Sequence, residues 1–168
     1  MTRLPGRIRA VFDCNVFVQA LAFEGGPAAH CLGLVESGGI ELFISKPVLA
    51  ELRRVFGYQE VLAISSNMTS PRIAAFLKRL AYRGTMIRRV RHRFRFERDR
   101  QDEPYIDLAI EVKADFLVTR DSDLHSLATG HAAECKRFRQ LSRPLEIVDP
   151  CDFMARIKSA TIDPPSRP

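Results

Sequence analysis

Short apolar runs alternate along the chain with longer stretches in which apolar residues recur every three or four positions. Ile8 to Phe12 is a β-rich run that stops at Asp13. From Pro27 to Glu36 the spacing is helical, and Gly38 and Gly39 close the segment. Ile40 to Ile44 reads as a second buried strand. Ser45 then caps a helix whose apolar stripe is Val48, Leu49, Leu52, Val55 and Phe56. Ser70-Pro71 opens another helix, with Ile73, Phe76, Leu77 and Leu80 on one face and Gly84 as its stop. Thr85 to Val90 is a third strand. Asp102 caps a helix over Glu103 to Ala114, and Phe116 to Thr119 is a strand with no polar interruption. Leu145 to Val148 is the last strand, followed by a short helix over Phe153 to Ile157. Parallel neighbours need crossovers, so strands alternating with helices predict an α/β fold. The expected architecture is a three-layer α/β/α sandwich around a central, mainly parallel sheet covered on both faces. Residues 1–158 are expected to form one domain, with a loose Met1 to Arg7 and a disordered tail over 159–168 that contains Pro164 and Pro165.

Composition narrows the class without changing that picture. At 168 residues, 46% hydrophobic and 27% charged, the chain has the balance of an ordinary globular protein with a self-sufficient core. No apolar run approaches a membrane span, and the N-terminus lacks a signal-peptide core, so a cytoplasmic protein is expected, with no membrane partner. Cys14, Cys31, Cys135 and Cys151 are widely separated and form no CxxC pair. They read as free thiols rather than a zinc site or disulfide framework. His30, His92, His125 and His131 show no ligand spacing.

The formal charge is +6, which fits a polyanion or an acidic protein as partner. Much of the excess lies in one stretch, where Arg89, Arg91, Arg93 and Arg95 alternate with Val90, His92, Phe94 and Phe96. Period-two alternation indicates an extended segment with one charged and one apolar face. Two readings stay open: an edge strand whose arginines block aggregation, or a track for phosphates or for an acidic partner segment.

The acidic residues carry the candidate chemistry. In open parallel sheets, ligands bind outside the carboxyl ends of the strands, where the strand order reverses. Asp13 follows the first strand, Asp121 follows the Phe116 to Thr119 strand, and Asp102 opens the helix before it, so all three are expected on one edge. Glu51 lies at the margin of its helix stripe and can face the same cleft. Taken singly, each Asp has a plain alternative as a helix cap, and Glu51 as a solvated charge. Together they need more. Two carboxylates ~5 Å apart repel by about 3 kcal/mol at an effective dielectric of 20. Three or four of them destabilise the fold unless a cation or protons offset the repulsion. Oxygen ligands without His or Cys suit Mg²⁺ or Mn²⁺, which screen charge on a phosphate and acidify water during phosphodiester hydrolysis.

Four segments in order carry a family resemblance: Val11-Phe12-Asp13-Cys14-Asn15-Val16, Ser45 to Leu52, Asp99 to Ala109, and Ala114 to Leu124. They resemble the PIN-domain ribonucleases, particularly the toxins of prokaryotic toxin–antitoxin pairs, from about residue 8 to residue 158. The resemblance implies an RNA-cutting enzyme with catalytic Asp13, Glu51, Asp102 and Asp121, of which Asp13, Asp102 and Asp121 bind Mg²⁺ or Mn²⁺. It further implies that Asn15 and Thr119 orient carboxylates or touch phosphate, with Asp123 as an outer group. A cognate antitoxin and a homodimer are the implied protein partners. Asp107, five residues after Asp102, projects round the helix and stays outside the site. The sequence departs from the family at Cys14, where a small hydroxyl residue is more usual, and over Thr129 to Arg143, which is long and basic.

Two other functions compete. A non-catalytic PIN-like module binding RNA or protein would be expected to have lost acids, and none of the four is lost. A phosphoacceptor receiver domain needs an Asp ending a middle strand, whereas Ile40 to Ile44 runs into Ser45 and Thr85 to Val90 runs into arginines.

Overall fold

The computed structural model describes residues 7–162. Five strands lie in them: β1 (Ile8–Phe12), β2 (Ile40–Ser45), β3 (Thr85–Ile87), β4 (Phe116–Val118) and β5 (Glu146–Val148). All their pairings are parallel and the order is β3-β2-β1-β4-β5. After β1 come α1 (Cys14–Ala22) and α2 (Pro27–Glu36), and between β2 and β3 come α3 (Lys46–Val55), α4 (Gln59–Leu62) and α5 (Ser70–Arg83). Helix α6 (Glu103–Val112) links β3 to β4. Helices α7 (Ser122–Thr129) and α8 (Ala133–Ser142) link β4 to β5, and α9 (Pro150–Ile162) follows. The three-layer α/β/α sandwich expected from the pattern is present, with a wholly parallel sheet.

The chain moves outward from β1 to β2 and β3, then returns through α6 to β4 on the other side. Right-handed crossovers therefore put helices on opposite faces before and after that return. Helices α1, α2 and α9 pack together on one face, and α6, α7 and α8 on the other. Phe12, Phe116 and Phe153 meet edge to face between β1, β4 and α9, with ring centroids 5.8 and 5.3 Å apart. Central strands buried on both faces need near-continuous apolar sequence. Ala10, Val11, Phe12, Leu42, Phe43 and Ile44 meet that need.

Several local expectations are corrected. The third strand ends at Ile87, not Val90, and residues 88–96 pair with no strand. The arginine stretch is thus not an edge strand but a strap crossing from β3 to α6. Its alternation is real: Phe94 and Phe96 are buried, while Arg89, Arg91, Arg93 and Arg95 are exposed. The last helix runs from Pro150 to Ile162, longer than Phe153 to Ile157. Within the basic stretch Thr129 to Arg143 lies α8, which buries Cys135 and Phe138. Of the loose ends expected at Met1 to Arg7 and at 159–168, residues 1–6 and 163–168 lie outside the described residues, while 159–162 continue α9. Cys14, Cys31, Cys135 and Cys151 are free thiols. Among the described residues no helix is long and apolar enough to cross a membrane.

The strap is held by one stripe of α6. Glu103, Asp107 and Glu111 are spaced four apart, so they share a helix face. Asp107 accepts the backbone N–H groups of Arg93 and Phe94 at 2.8 and 2.9 Å, and its other oxygen lies 2.8 Å from His92 Nδ1. Glu103 accepts the Phe96 N–H at 2.9 Å. Glu111 meets Arg93 at 3.1 Å and Arg91 at 3.6 Å. Phe94 closes the contact by meeting Phe138 of α8 edge to face at 5.6 Å. The backbone of an irregular segment is thereby satisfied by carboxylates rather than by a neighbouring strand.

Candidate active site

Strand order reverses between β1 and β4, and their carboxyl ends stand side by side. The Asp13 N–H continues the ladder to the Val118 carbonyl at 2.9 Å, and Thr119 N–H does the same to Val148 at 2.9 Å. Asp13 and Thr119 therefore leave adjacent strands at one level. Thr119 donates its hydroxyl to Asp13 Oδ2 at 2.6 Å, and Asn15 donates its amide to the same oxygen at 2.6 Å. The Cys14 N–H donates to Oδ1 at 2.5 Å. Thr119 Oγ1 in turn accepts the Asp121 N–H at 2.9 Å. One hydroxyl thus ties the end of β1 to the start of the next helix. Asn15 and Thr119, both expected near the carboxylates, thus donate to the same oxygen of Asp13.

Asp121 is a true N-cap of α7: its Oδ1 accepts the N–H groups of Asp123 at 2.7 Å and Leu124 at 3.3 Å. Asp102 stands at the same position before α6 but makes no side-chain cap bond. Its helix start follows Pro104 in the first turn instead, and the predicted cap is corrected on this point. Its Oδ2 is buried and has no hydrogen-bond partner among the described residues. A buried acceptor without a partner is uncommon and costly unless protonated or given a ligand.

Electrostatics link the four acids. Burial pushes Asp13 up to about 6 against the Thr119 and Cys14 hydrogen bonds, with the charges of Glu51 and Asp121 adding to the rise. Asp102 is pushed up to about 7, first by burial and then by Asp13, Asp99, Asp121 and Glu51. Glu51 comes from α3, with its side chain 17% exposed and Arg54 Nη2 3.9 Å away. The structure therefore brings Asp13, Glu51, Asp102 and Asp121 into one electrostatic group on one edge of the sheet. Asp123 behaves differently. Its carboxylate is half exposed and pairs with Arg98 at 3.1 Å, so it serves Asp121 through its backbone N–H rather than its side chain.

Two neighbours of the cluster were not anticipated. Tyr105 is fully buried beneath it, with Cys14, Glu51 and Asp13 around its hydroxyl; burial pushes that phenol far up. It lies three residues after Asp102 on α6, a helical neighbour, which was the available signal. Asp99 adds a fifth negative charge beside Asp102. Burial, then Glu51 and Asp13, push the Cys14 thiol up to about 12, so it stays a neutral wall of the site.

The donor set consists of carboxylates, which suits a hard divalent cation. The partnerless oxygen of Asp102 and the raised Asp13 and Asp102 both fit a site that a cation would relieve. Among the described residues, no three His, Cys, Asp or Glu side chains already converge closely enough to hold an ion. Asp107 faces the strap, outside the cluster, as its place on α6 suggested.

A family model described as PIN domain matches residues 9–123, a span that contains all four acids. No curated protein and no solved structure matched the chain.

Proposed function

The chain belongs to the PIN-domain family, which has a nuclease-type fold, and from that premise we propose that it is a metal-dependent endoribonuclease. The observation that carries the proposal is the buried Asp102 carboxylate, with one oxygen lacking any partner, beside Asp13 where the sheet order reverses. Asp13, Asp102 and Asp121 would hold Mg²⁺ or Mn²⁺. The bound cation would supply Lewis acidity, screening the charge that grows on the phosphate and favouring ionisation of the attacking water. Thr119 and Asn15 fix Asp13 with one oxygen saturated, and so keep its geometry from relaxing when an ion is lost. Glu51, partly buried beside Asp13, would accept a proton from a water at the cluster. Neutral Cys14 and Tyr105 exclude solvent beneath the acids.

The exposed face of the strap supports RNA as substrate, because Arg89, Arg91, Arg93 and Arg95 are all exposed along a segment that runs beside α6 from Glu111 near its end to Glu103 at its start. Surface ion pairs with Glu111 and Glu97 are weak, about 0–1 kcal/mol each, and leave these guanidiniums available to phosphates. We also propose that the biological role is that of a toxin restrained by an acidic antitoxin segment, acting in the cytoplasm, with a homodimer as the assembly. This part rests on the four-segment resemblance and on the basic surface.

The test is cleavage of a mixed-sequence single-stranded RNA with Mn²⁺, Mg²⁺ or EDTA. Wild type is compared with Asp13→Asn and Asp121→Asn. Metal-dependent cutting lost in both variants is expected. If folded wild type neither cuts nor gains thermal stability from Mn²⁺, the enzyme reading falls and a binding module takes its place.

A further inference from the structure

Helix α1 starts at the acid cluster and leads away from it. Asn15 and Gln19, four residues apart, share one stripe of α1, and Phe23 follows as its C-cap, with its N–H on the Gln19 carbonyl at 2.9 Å. Asn15 holds Asp13. At a rise of 1.5 Å per residue, Gln19 and Phe23 lie about 6 and 12 Å further along the helix axis. Both line a cleft of about 220 Å³ that is completed by Gly26, Pro27, Ala28 and Arg120. Phe23 is 51% exposed, one of few large apolar side chains left in solvent. Gly26 seals the floor: its N–H donates to the Phe23 carbonyl at 3.0 Å, and a Cβ there would come within 3.2 Å of that oxygen.

Arg120 joins this cleft to the acids. It stands between Thr119 and Asp121, and its backbone N–H reaches Asn15 Oδ1 at 3.4 Å. Its side chain is exposed and enters no ion pair among the described residues. On its other side it borders a wider cleft of about 750 Å³, with Ser122, His125 and Asp149. A single-stranded chain crossing the acids thus has room on both sides of Arg120.

We propose that the cleft between Gln19, Phe23 and Arg120 receives one unstacked base of the RNA, next to the phosphate being cut, and selects the cleavage sequence. This rests on the endoribonuclease reading and names how that site chooses its substrate. The chemistry matches a nucleobase in three ways. Sequence-specific RNA recognition targets single strands, whose bases stack on aromatic rings or guanidinium planes. Phe23 and Arg120 supply one of each. Gln19 is half buried and supplies a donor and an acceptor for a base edge. The cleft is also smaller than the roughly 300–1,000 Å³ of pockets for drug-sized ligands, which suits a single base. Arg120 positions the strand and makes no contact with the reacting atoms in this scheme.

The experiment uses the full chain, a randomised single-stranded RNA pool and Mn²⁺, with cut sites mapped by sequencing. Wild type, Phe23→Ala, Phe23→Trp, Arg120→Ala and Gln19→Ala are compared, and affinity for the pool is measured separately with EDTA present. Phe23→Ala and Arg120→Ala should each raise KM and weaken binding by roughly tenfold, with kcat little changed. Gln19→Ala should relax base preference at one position near the cut, and Phe23→Trp should retain wild-type affinity. Unchanged cut sites, KM and affinity in all the alanine variants would overturn the subsite while leaving the nuclease reading intact. If wild type binds RNA without cutting and the variants bind less, the subsite stands and the catalytic reading fails. Wild type that neither binds nor cuts RNA removes both.

Discussion

Asp102 and Asp121 occupy equivalent places, each at the head of a helix beside the site, yet only Asp121 spends its carboxylate on capping. The difference sets a pH dependence. Asp13 and Asp102 have folded-state values near 6 and 7, above the ordinary 3.8. The folded state therefore holds protons that the unfolded state has released, and stability falls as pH rises. The contribution is complete below about pH 4 and is lost once pH passes 6 to 7, where both acids ionise. At ~1.4 kcal/mol per pKa unit the loss is on the order of a few kcal/mol. Thermal melts in EDTA should accordingly decline from pH 5 to pH 7.5. Asp102→Asn should flatten that decline and melt higher than wild type at pH 8, while abolishing cleavage. A parallel decline in the variant would show that Asp102 is not the group responsible. Mn²⁺ should stabilise wild type more at pH 8 than at pH 6, because ligation needs the ionised acids.

At the scale of elements, legibility followed how clearly each segment alternates between apolar and polar positions. Strands β1 and β2 were plain because apolar runs end abruptly at Asp13 and Ser45. Helix α1 was hidden for the opposite reason: Val16, Phe17, Val18, Ala20, Leu21 and Ala22 are all buried, so no polar face marks its period. Helix α8 was hidden by its charge, since only Cys135, Phe138 and Ser142 turn inward. The acids Asp13, Asp102 and Asp121 were legible because they punctuate strands and helices. Tyr105 and the missing cap at Asp102 depend on tertiary packing and were not. Asp107 was placed correctly outside the cluster, but its work on the strap needed the structure. Replacing it by Ala leaves the buried Phe94 N–H without an acceptor, a loss of about 1–3 kcal/mol. A lower denaturant midpoint and faster amide exchange at Arg93 and Phe94 should follow, with Asp107→Asn milder. Normal protection at those two amides would mean that another group holds the strap.

Over the whole molecule, charge is distributed by sign: the acids gather at one edge of the sheet, and arginines line the strap that leads to α6. With a net charge of +6, RNA affinity should fall steeply between 50 and 200 mM salt, roughly in proportion to the phosphates contacted. Fluorescence anisotropy with a labelled single strand measures the slope. Substituting Ala for both Arg89 and Arg95 should reduce it by about two, and an unchanged slope would place the phosphates elsewhere.

The central position of β1 carries a further consequence for the chain during synthesis. Asp13 emerges from the ribosome before its hydroxyl partner Thr119 and the acid Asp121, which lie on the far side of the return crossover. Domains generally fold as units during synthesis. A partly made chain holds no complete acid set until residue 121 has been added. On the reading proposed above, products truncated before residue 121 carry the earlier acids without the Asp that caps α7 and should not cut RNA.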